Sequence, residues 1–263
     1  MSGRPVKLYV FSGTGNTLAV ALRVAEALRL NEVPVELFRM EKSIPEQAEL
    51  GEAVLGLAFP VACWASYPTV TRFIEHLPEG YGREVFMFAT YERFTAGMQG
   101  PVKKILLRKG YRPTGAAFFK MPGNFLARPI ADAERVSIAE AAMTRATRFA
   151  VALAQERANW ANGLPLLSNL LYRFSKTARP WNAVKKRFPI DLNKAACIRC
   201  GRCYRLCPSK SIAIPDTPLI RMETCEACRR CVRFCPTHAL TISKKQAKPY
   251  NNFSYDDFMR AFK

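Results

Sequence analysis

Eight of the nine cysteines in this 263-residue chain fall between Cys197 and Cys235, and their spacing is the strongest chemical signal present. Residues 197–207 read Cys-Ile-Arg-Cys-Gly-Arg-Cys-Tyr-Arg-Leu-Cys before Pro208. Residues 225–235 read Cys-Glu-Ala-Cys-Arg-Arg-Cys-Val-Arg-Phe-Cys before Pro236. Each cysteine has a counterpart 28 positions on (225 − 197 through 235 − 207), and the match continues through Pro208–Ile214 against Pro236–Ile242. The segment is an internal duplication. Structural zinc is generally held by two Cys-x-x-Cys pairs. A repeated triplet followed by Cys-Pro suits cubane clusters of iron and sulfide instead.

Three thiolates two residues apart wrap one corner of a cube, and the fourth, before proline, turns away to the neighbouring cluster. Cys197, Cys200, Cys203 and Cys235 are therefore expected to hold one [4Fe–4S] cluster. Cys225, Cys228, Cys231 and Cys207 are expected to hold the other. His238 is then a spacer, because the ligand count is complete without it. Residues 190–245 resemble the two-cluster bacterial ferredoxins, with no cysteine missing from either motif. The resemblance implies a small α+β domain.

The second signal lies near the start. An apolar run, Lys7–Phe11, leads into Ser12-Gly13-Thr14-Gly15-Asn16-Thr17 and then into a helix-period stretch. Small residues let backbone N–H groups converge on an anion, and the following helix adds the positive end of its dipole. A Walker A loop needs Gly-Lys-Ser/Thr, and this segment has no lysine. A dinucleotide fingerprint needs a third glycine where Leu18 stands. Hydroxyls and amides without a cation resemble the loop with which flavodoxins hold the phosphate of FMN. By the same resemblance, Pro60, Val61, Ala62, Cys63 and Trp64, with Ala89, Thr90, Tyr91 and Gly97, are expected around the flavin ring. Trp64 is the first candidate to stack on it and Tyr91 the second. Cys63 reads as a small packing residue.

These residues need elements to position them. Short apolar runs at Pro5–Phe11, Val33–Met40, Ala53–Pro60, Glu84–Ala89 and Ala116–Met121 alternate with helix-period stretches at Asn16–Leu30, Pro68–His76, Gly97–Gly110 and Asp132–Asn159. Such alternation predicts a parallel sheet covered on both faces. Five strands suit a flavodoxin-like, doubly wound order, with ligands beyond the C-terminal strand ends. The expected layout is an FMN-binding α/β domain over 1–160, a connector over 161–189, the dicluster domain over 190–245 and a tail over 246–263. In the connector, Leu167, Leu170, Leu171 and Phe174 fall at i, i+3, i+4 and i+7 and are expected to pack on the first domain. Asn162-Gly163 reads as the end of the preceding helix. Tyr255–Phe262 reads as a terminal helix.

The formal charge of +19 is uneven. Residues 1–160 carry 20 Lys/Arg against 15 Asp/Glu, and residues 161–263 carry 20 against 6. Anionic clusters offset a small part of this excess, and the remainder points to an external redox protein with an acidic docking face. The basic connector adds possible membrane-surface contact as an expectation. Nucleic acid is not expected as a partner, since no base-reading motif is present. The opening Met-Ser-Gly-Arg-Pro lacks the pattern of a secretory signal, and no run has the ~20 apolar residues of a spanning helix, so a reducing cytoplasmic setting is expected.

Taken whole, the chain resembles the fused flavodoxin–ferredoxin proteins of anaerobic bacteria and archaea. The resemblance rests on both cysteine motifs, the Ser12–Thr17 loop, Pro60-Val61-x-x-Trp64, and Met121-Pro122-Gly123-Asn124 after the fifth strand. It implies an electron carrier relaying between FMN, two [4Fe–4S] clusters and an external partner. The alternative it leaves open is a flavoenzyme reducing a small acceptor such as a quinone. One departure stands out: Glu92-Arg93 follows Thr90-Tyr91, where the family commonly has glycine.

Overall fold

The computed structural model describes residues 3–95, 98–123, 131–161, 165–214, 218–243 and 253–263. Its first half runs β1 (Val6–Val10), α1 (Asn16–Arg29), β2 (Val35–Arg39), α2 (Gln47–Leu50), β3 (Val54–Pro60), α3 (Pro68–Glu75), β4 (Glu84–Tyr91), α4 (Gln99–Arg108), β5 (Arg112–Lys120) and α5 (Asp132–Ala154). The five strands form one parallel sheet in the order β2-β1-β3-β4-β5. That is the flavodoxin-like order, in which chain direction across the sheet reverses between β1 and β3 and leaves a crevice at their C-terminal ends. β1, β3 and β4 are buried almost throughout because helices cover both faces, which explains their unbroken Val, Leu and Phe runs.

Two cores lie on opposite faces of this sheet. On one, α1 presents Leu18, Ala21, Val24, Ala25 and Leu28, and α5 presents Ala139, Ala142, Ala146 and Ala150. The alanine stripe lets α5 approach closely, with little side chain to separate the backbones. On the other face, Phe73 and Ile74 of α3 and Val102 and Leu106 of α4 pack against Leu55, Leu57 and Met87. The long helix ends at Ala154, five residues before the expected Asn159, since Glu156 takes a left-handed φ of 57° and turns the chain. Asn162 and Gly163 lie outside the described residues.

The second half runs α6 (Pro165–Ser175), α7 (Ala178–Arg187), β6 (Ile190–Leu192), α8 (Arg202–Leu206), β7 (Ile212–Ala213), β8 (Leu219–Ile220), α9 (Arg230–Arg233), β9 (Leu240–Ile242) and α10 (Tyr255–Arg260). The expected packing of the α6 leucines is corrected here. Leu167 and Leu170 are exposed, Leu171 is half-buried and Phe174 meets the first domain at Trp64, while Tyr172 and Ser175 are buried. The helix is rotated so that the larger, amphipathic Tyr172 enters the core under α3 and reaches Glu75 at 3.3 Å. Two antiparallel ribbons, β6 with β9 and β7 with β8, frame the cysteine segment. Its own core is small, built around Ile212, Val232, Leu240 and Ile242 with Cys203 and Cys231. So little apolar surface calls for covalent or metal staples.

The tail is part of the first core. Ser254 and Asp257 form a capping box that starts α10. Phe258 of that helix is fully buried, 4.9 Å from the Phe234 ring, among residues that also include Leu37 and Val35. No helix among the described residues is long and apolar enough to cross a membrane.

Candidate functional site

The Ser12–Thr17 loop is shaped by its own side chains. Ser12 Oγ accepts from the N–H groups of Gly15 and Leu18, both at 3.2 Å, which folds the loop over the start of α1. Gly15 precedes the helix at φ 104°, a conformation costly for any residue with a Cβ. Asn16 donates its side-chain amide to the Pro122 carbonyl at 2.8 Å, and the Thr17 and Thr90 hydroxyls lie 2.7 Å apart. These bonds gather the loops after β1 and β5 and the end of β4 around an open cleft.

Of the residues expected at the flavin, Ser12, Gly13, Thr14, Asn16, Thr17, Pro60, Val61, Thr90 and Tyr91 line this cavity. Tyr67, Glu92, Met121, Pro122, Gly123 and Cys228 line it too. Gly15, Ala62, Cys63, Trp64 and Ala89 are not among the lining residues, and Gly97 lies outside the described ones. Ala62 and Ala65 exchange backbone hydrogen bonds of 3.1 and 2.9 Å across a tight turn. Cys63 and Trp64 occupy its two central positions with left-handed φ values of 47° and 64°. Such a turn favours Asn-Gly, and two side-chain-bearing residues there store strain. The turn leaves Trp64 46% exposed, 5.7 Å from the Phe174 ring of α6. Burial pushes the Cys63 thiol up to about 11, which keeps it protonated at neutral pH. The aromatic missed in the sequence is Tyr67, held between Phe11 at 5.2 Å and Trp181 at 5.5 Å. Glu92 takes the place of the usual glycine without crowding because its carboxyl rests over Gly123, where a methyl group would collide with it.

Cys197, Cys200, Cys203 and Cys235 line one pocket, so the last cysteine of the second copy joins three of the first. Burial raises the Cys231 thiol well above its ordinary value, and the nearby sulfurs of Cys228, Cys225 and Cys207 add to the rise. Burial likewise pushes Cys228 up to about 12, against the pull of the Arg230 guanidinium. Among the described residues no three His, Cys, Asp or Glu side chains converge closely enough to hold a single metal ion. Backbone N–H groups reach two of the sulfurs, Ser211 to Cys207 at 3.2 Å and Ala227 to Cys225 at 3.4 Å. The copies also share their unusual backbone: φ is 56° at Arg199 and 55° at Ala227, 71° at Gly201 and 64° at Arg229, 51° at Lys210 and 53° at His238. Left-handed residues at these places turn successive N–H groups toward the sulfurs.

The second copy is pressed into the first domain. Glu226 accepts from the Thr69 N–H at 3.1 Å, the Thr69 hydroxyl at 2.9 Å and Arg72 at 2.8 Å. It thereby caps α3, whose own N-cap residue, Tyr67, makes no such bond. Arg230, 1% exposed, donates to the Ser12 carbonyl at 3.0 Å and to the Leu206 carbonyl at 3.2 Å. It also pairs with Glu41 and lies 5.2 Å from the centres of the Phe11 and Phe258 rings. Burial pushes the Glu41 carboxyl up, but Arg230 and Arg39 outweigh it and hold the group below its usual range. Between these two anchors the Cys228 carbonyl packs on Gly13 so tightly that any side chain at Gly13 would overlap it.

Residues 196–239 match the family of 4Fe-4S dicluster domains. No curated protein matches the sequence. Among solved structures, a flavodoxin from the domain Archaea is similar at 13% identity, covering 58% of this chain and 98% of that one, with a TM-score of 0.45. The two-electron reduced flavodoxin of Megasphaera elsdenii is similar at 24% identity, over 53% of this chain and 98% of its own, with a TM-score of 0.40. Oxidised flavodoxin 1 of Bacillus cereus is similar at 14% identity, over 58% and 97%, with a TM-score of 0.40. The strand order of the sheet itself carries the fold assignment. A flavodoxin-like α/β domain followed by a 4Fe-4S dicluster domain is the layout of a flavodoxin–ferredoxin fusion, and this chain has it.

Proposed function

We propose that the chain is an electron-transfer protein in which FMN, held at the Ser12–Thr17 loop, exchanges electrons with two [4Fe–4S] clusters and through them with an external redox partner. One observation carries the reading: Cys228, expected to ligate the second cluster, lines the same cavity as the Ser12–Thr17 loop. FMN supplies exchange of one or two electrons and each cluster of one, so their union converts between the two kinds of chemistry. The chain's own residues do the rest. The α1 N-terminus and the neutral Thr14 and Asn16 suit a phosphate. Thr90 and Tyr91 border the ring space, and Glu226 and Arg230 fix the distance to the cluster loop.

Anaerobically purified protein is expected to contain about eight iron atoms and one FMN per chain. When the reduced protein is mixed rapidly with a flavin-specific oxidant, the clusters should reoxidise at a rate independent of protein concentration. Zinc in place of iron, FAD in place of FMN, or a second-order rate would overturn the proposal.

Glu92 gives a second test. A carboxylate at the cavity rim disfavours adding negative charge to the flavin. Glu92→Gln should therefore raise the flavin midpoint potential on the order of 30 mV, about 1.4 kcal/mol for a two-electron couple. Spectroscopic redox titration reads this directly, and an unchanged or lowered potential would place the carboxylate away from the ring.

A further inference from the structure

The two copies of the cysteine motif share a backbone but face opposite ways. Counting back 28 positions, buried Glu226, Ala227, Arg229 and Arg230 of the second copy correspond to Ile198, Arg199, Gly201 and Arg202 of the first (226 − 198 through 230 − 202). Cys228, against the flavodoxin-like domain, corresponds to Cys200, which is exposed. Duplicated sequence alone would make the loops equivalent; docking on the first domain consumes one and leaves the other in solvent.

We propose that the face around Cys200 is a docking surface for a small acidic electron-carrier protein; this rests on the relay proposed above and names its outer end. Three large apolar side chains of this domain are exposed, Ile198 at 62%, Tyr204 at 56% and Leu219 at 57%. Positive groups are exposed in the same cysteine segment. Lys194, Arg199 and Arg205 are exposed, and Arg205 holds its guanidinium on the Cys200 carbonyl at 2.8 Å. Among the described residues, the pocket of the first cluster is lined by Arg199 and Arg202 and by no Asp or Glu. Exposed apolar side chains with positive ones beside them suit a transient redox encounter, where charge steers approach and a small dry contact brings the centres close. A membrane surface fits less well, because α8 has only five residues and offers no extended amphipathic face. One electron passes between the cluster held by Cys197, Cys200, Cys203 and Cys235 and the partner's one-electron centre. The donor is oxidised by one electron, the acceptor reduced by one, and no bond or proton moves.

The test uses the loaded full chain, chemically reduced and mixed with oxidised rubredoxin, a small acidic iron protein, or with basic cytochrome c. The double change Lys194→Glu and Arg199→Glu should slow rubredoxin reduction about tenfold at low ionic strength and speed cytochrome c reduction, with both differences shrinking in high salt. A mere shift in cluster potential would move both rates in one direction and overturn the proposal. The same charge reversal at Arg145 and Arg148, exposed on α5, should change the rubredoxin rate less than twofold; an equal loss there means net charge, not this face, governs the encounter, and overturns it. Loss of binding to anionic vesicles with an unchanged rubredoxin rate would assign the face to a membrane instead. Internal FMN–cluster exchange in the unaltered chain is scored separately: its absence defeats the relay, while its presence with indifferent rubredoxin rates defeats only the docking face.

Discussion

Replacing Arg230 with methionine is expected to destabilise the joined domains by about 3–5 kcal/mol, because it strands the Glu41 carboxylate in a buried site. Methionine keeps much of the apolar stem, so the loss isolates the charge. Arg230 is the shared element of the site: it holds the Ser12 carbonyl of the phosphate loop, the Leu206 carbonyl of the first cysteine copy and Glu41 at once. Anaerobic denaturant titration followed by flavin and cluster absorbance measures the change. Adding Glu41→Gln to Arg230→Met should recover much of it, since no unpaired carboxylate then remains. The Glu41 carboxyl lies below its usual range, so its contribution is present above the unfolded-state value and disappears as pH falls through the lower folded value. The gap between parent and single variant should therefore narrow on acidification. A loss within the ordinary range of surface substitutions would show that Arg230 is not what joins the halves.

Gly13→Ala should produce the second large effect, and on a different quantity. The added methyl meets the backbone carbonyl of Cys228, which cannot swing aside as a side chain end would. Overpacking of this kind costs about 1–3 kcal/mol. The larger consequence is separation of the phosphate loop from the cluster loop. Electron tunnelling falls steeply with distance, so internal flavin-to-cluster transfer should slow severalfold while the potentials of both centres move little. Stopped-flow rates and redox titrations on one preparation distinguish distance from driving force. Unchanged transfer would mean that the electron does not cross at Gly13 and Cys228.

These two residues show where sequence reading stops. Glycine in a phosphate loop is read as freedom to bring backbone N–H groups to an anion, and nothing local indicates that Gly13 is also kept bare by a carbonyl from Cys228. Arg230 reads as one of several arginines between the cysteines, with nothing local to set it apart. Its burial depends on Ser12, 218 residues away, and on Glu41, 189 away. Glu226 is likewise unremarkable until Thr69 and Arg72, 157 and 154 residues distant, come to meet it. The cation–carboxylate chemistry was visible in composition; the pairing was not.

What the sequence by itself determined was everything governed by short periods and local spacing. The 28-residue repeat specifies the cysteine geometry because the ligand loops are short and closed by proline (225 − 197). The alternation of apolar runs with helical stretches specifies a parallel sheet because buried strands must be apolar on both faces. The tertiary structure alone decided which side of each element is used. Leu167 and Leu170 have the period of a packed helix face, yet one rotation of α6 spends the buried position on Tyr172. Trp64 has the composition of a ring-stacking residue, yet the left-handed turn at Cys63 and Trp64 swings it toward Phe174. Two cysteine loops of matching φ acquire different surroundings because only one can dock on the flavodoxin-like domain, and that choice depends on surface complementarity between segments far apart in the chain.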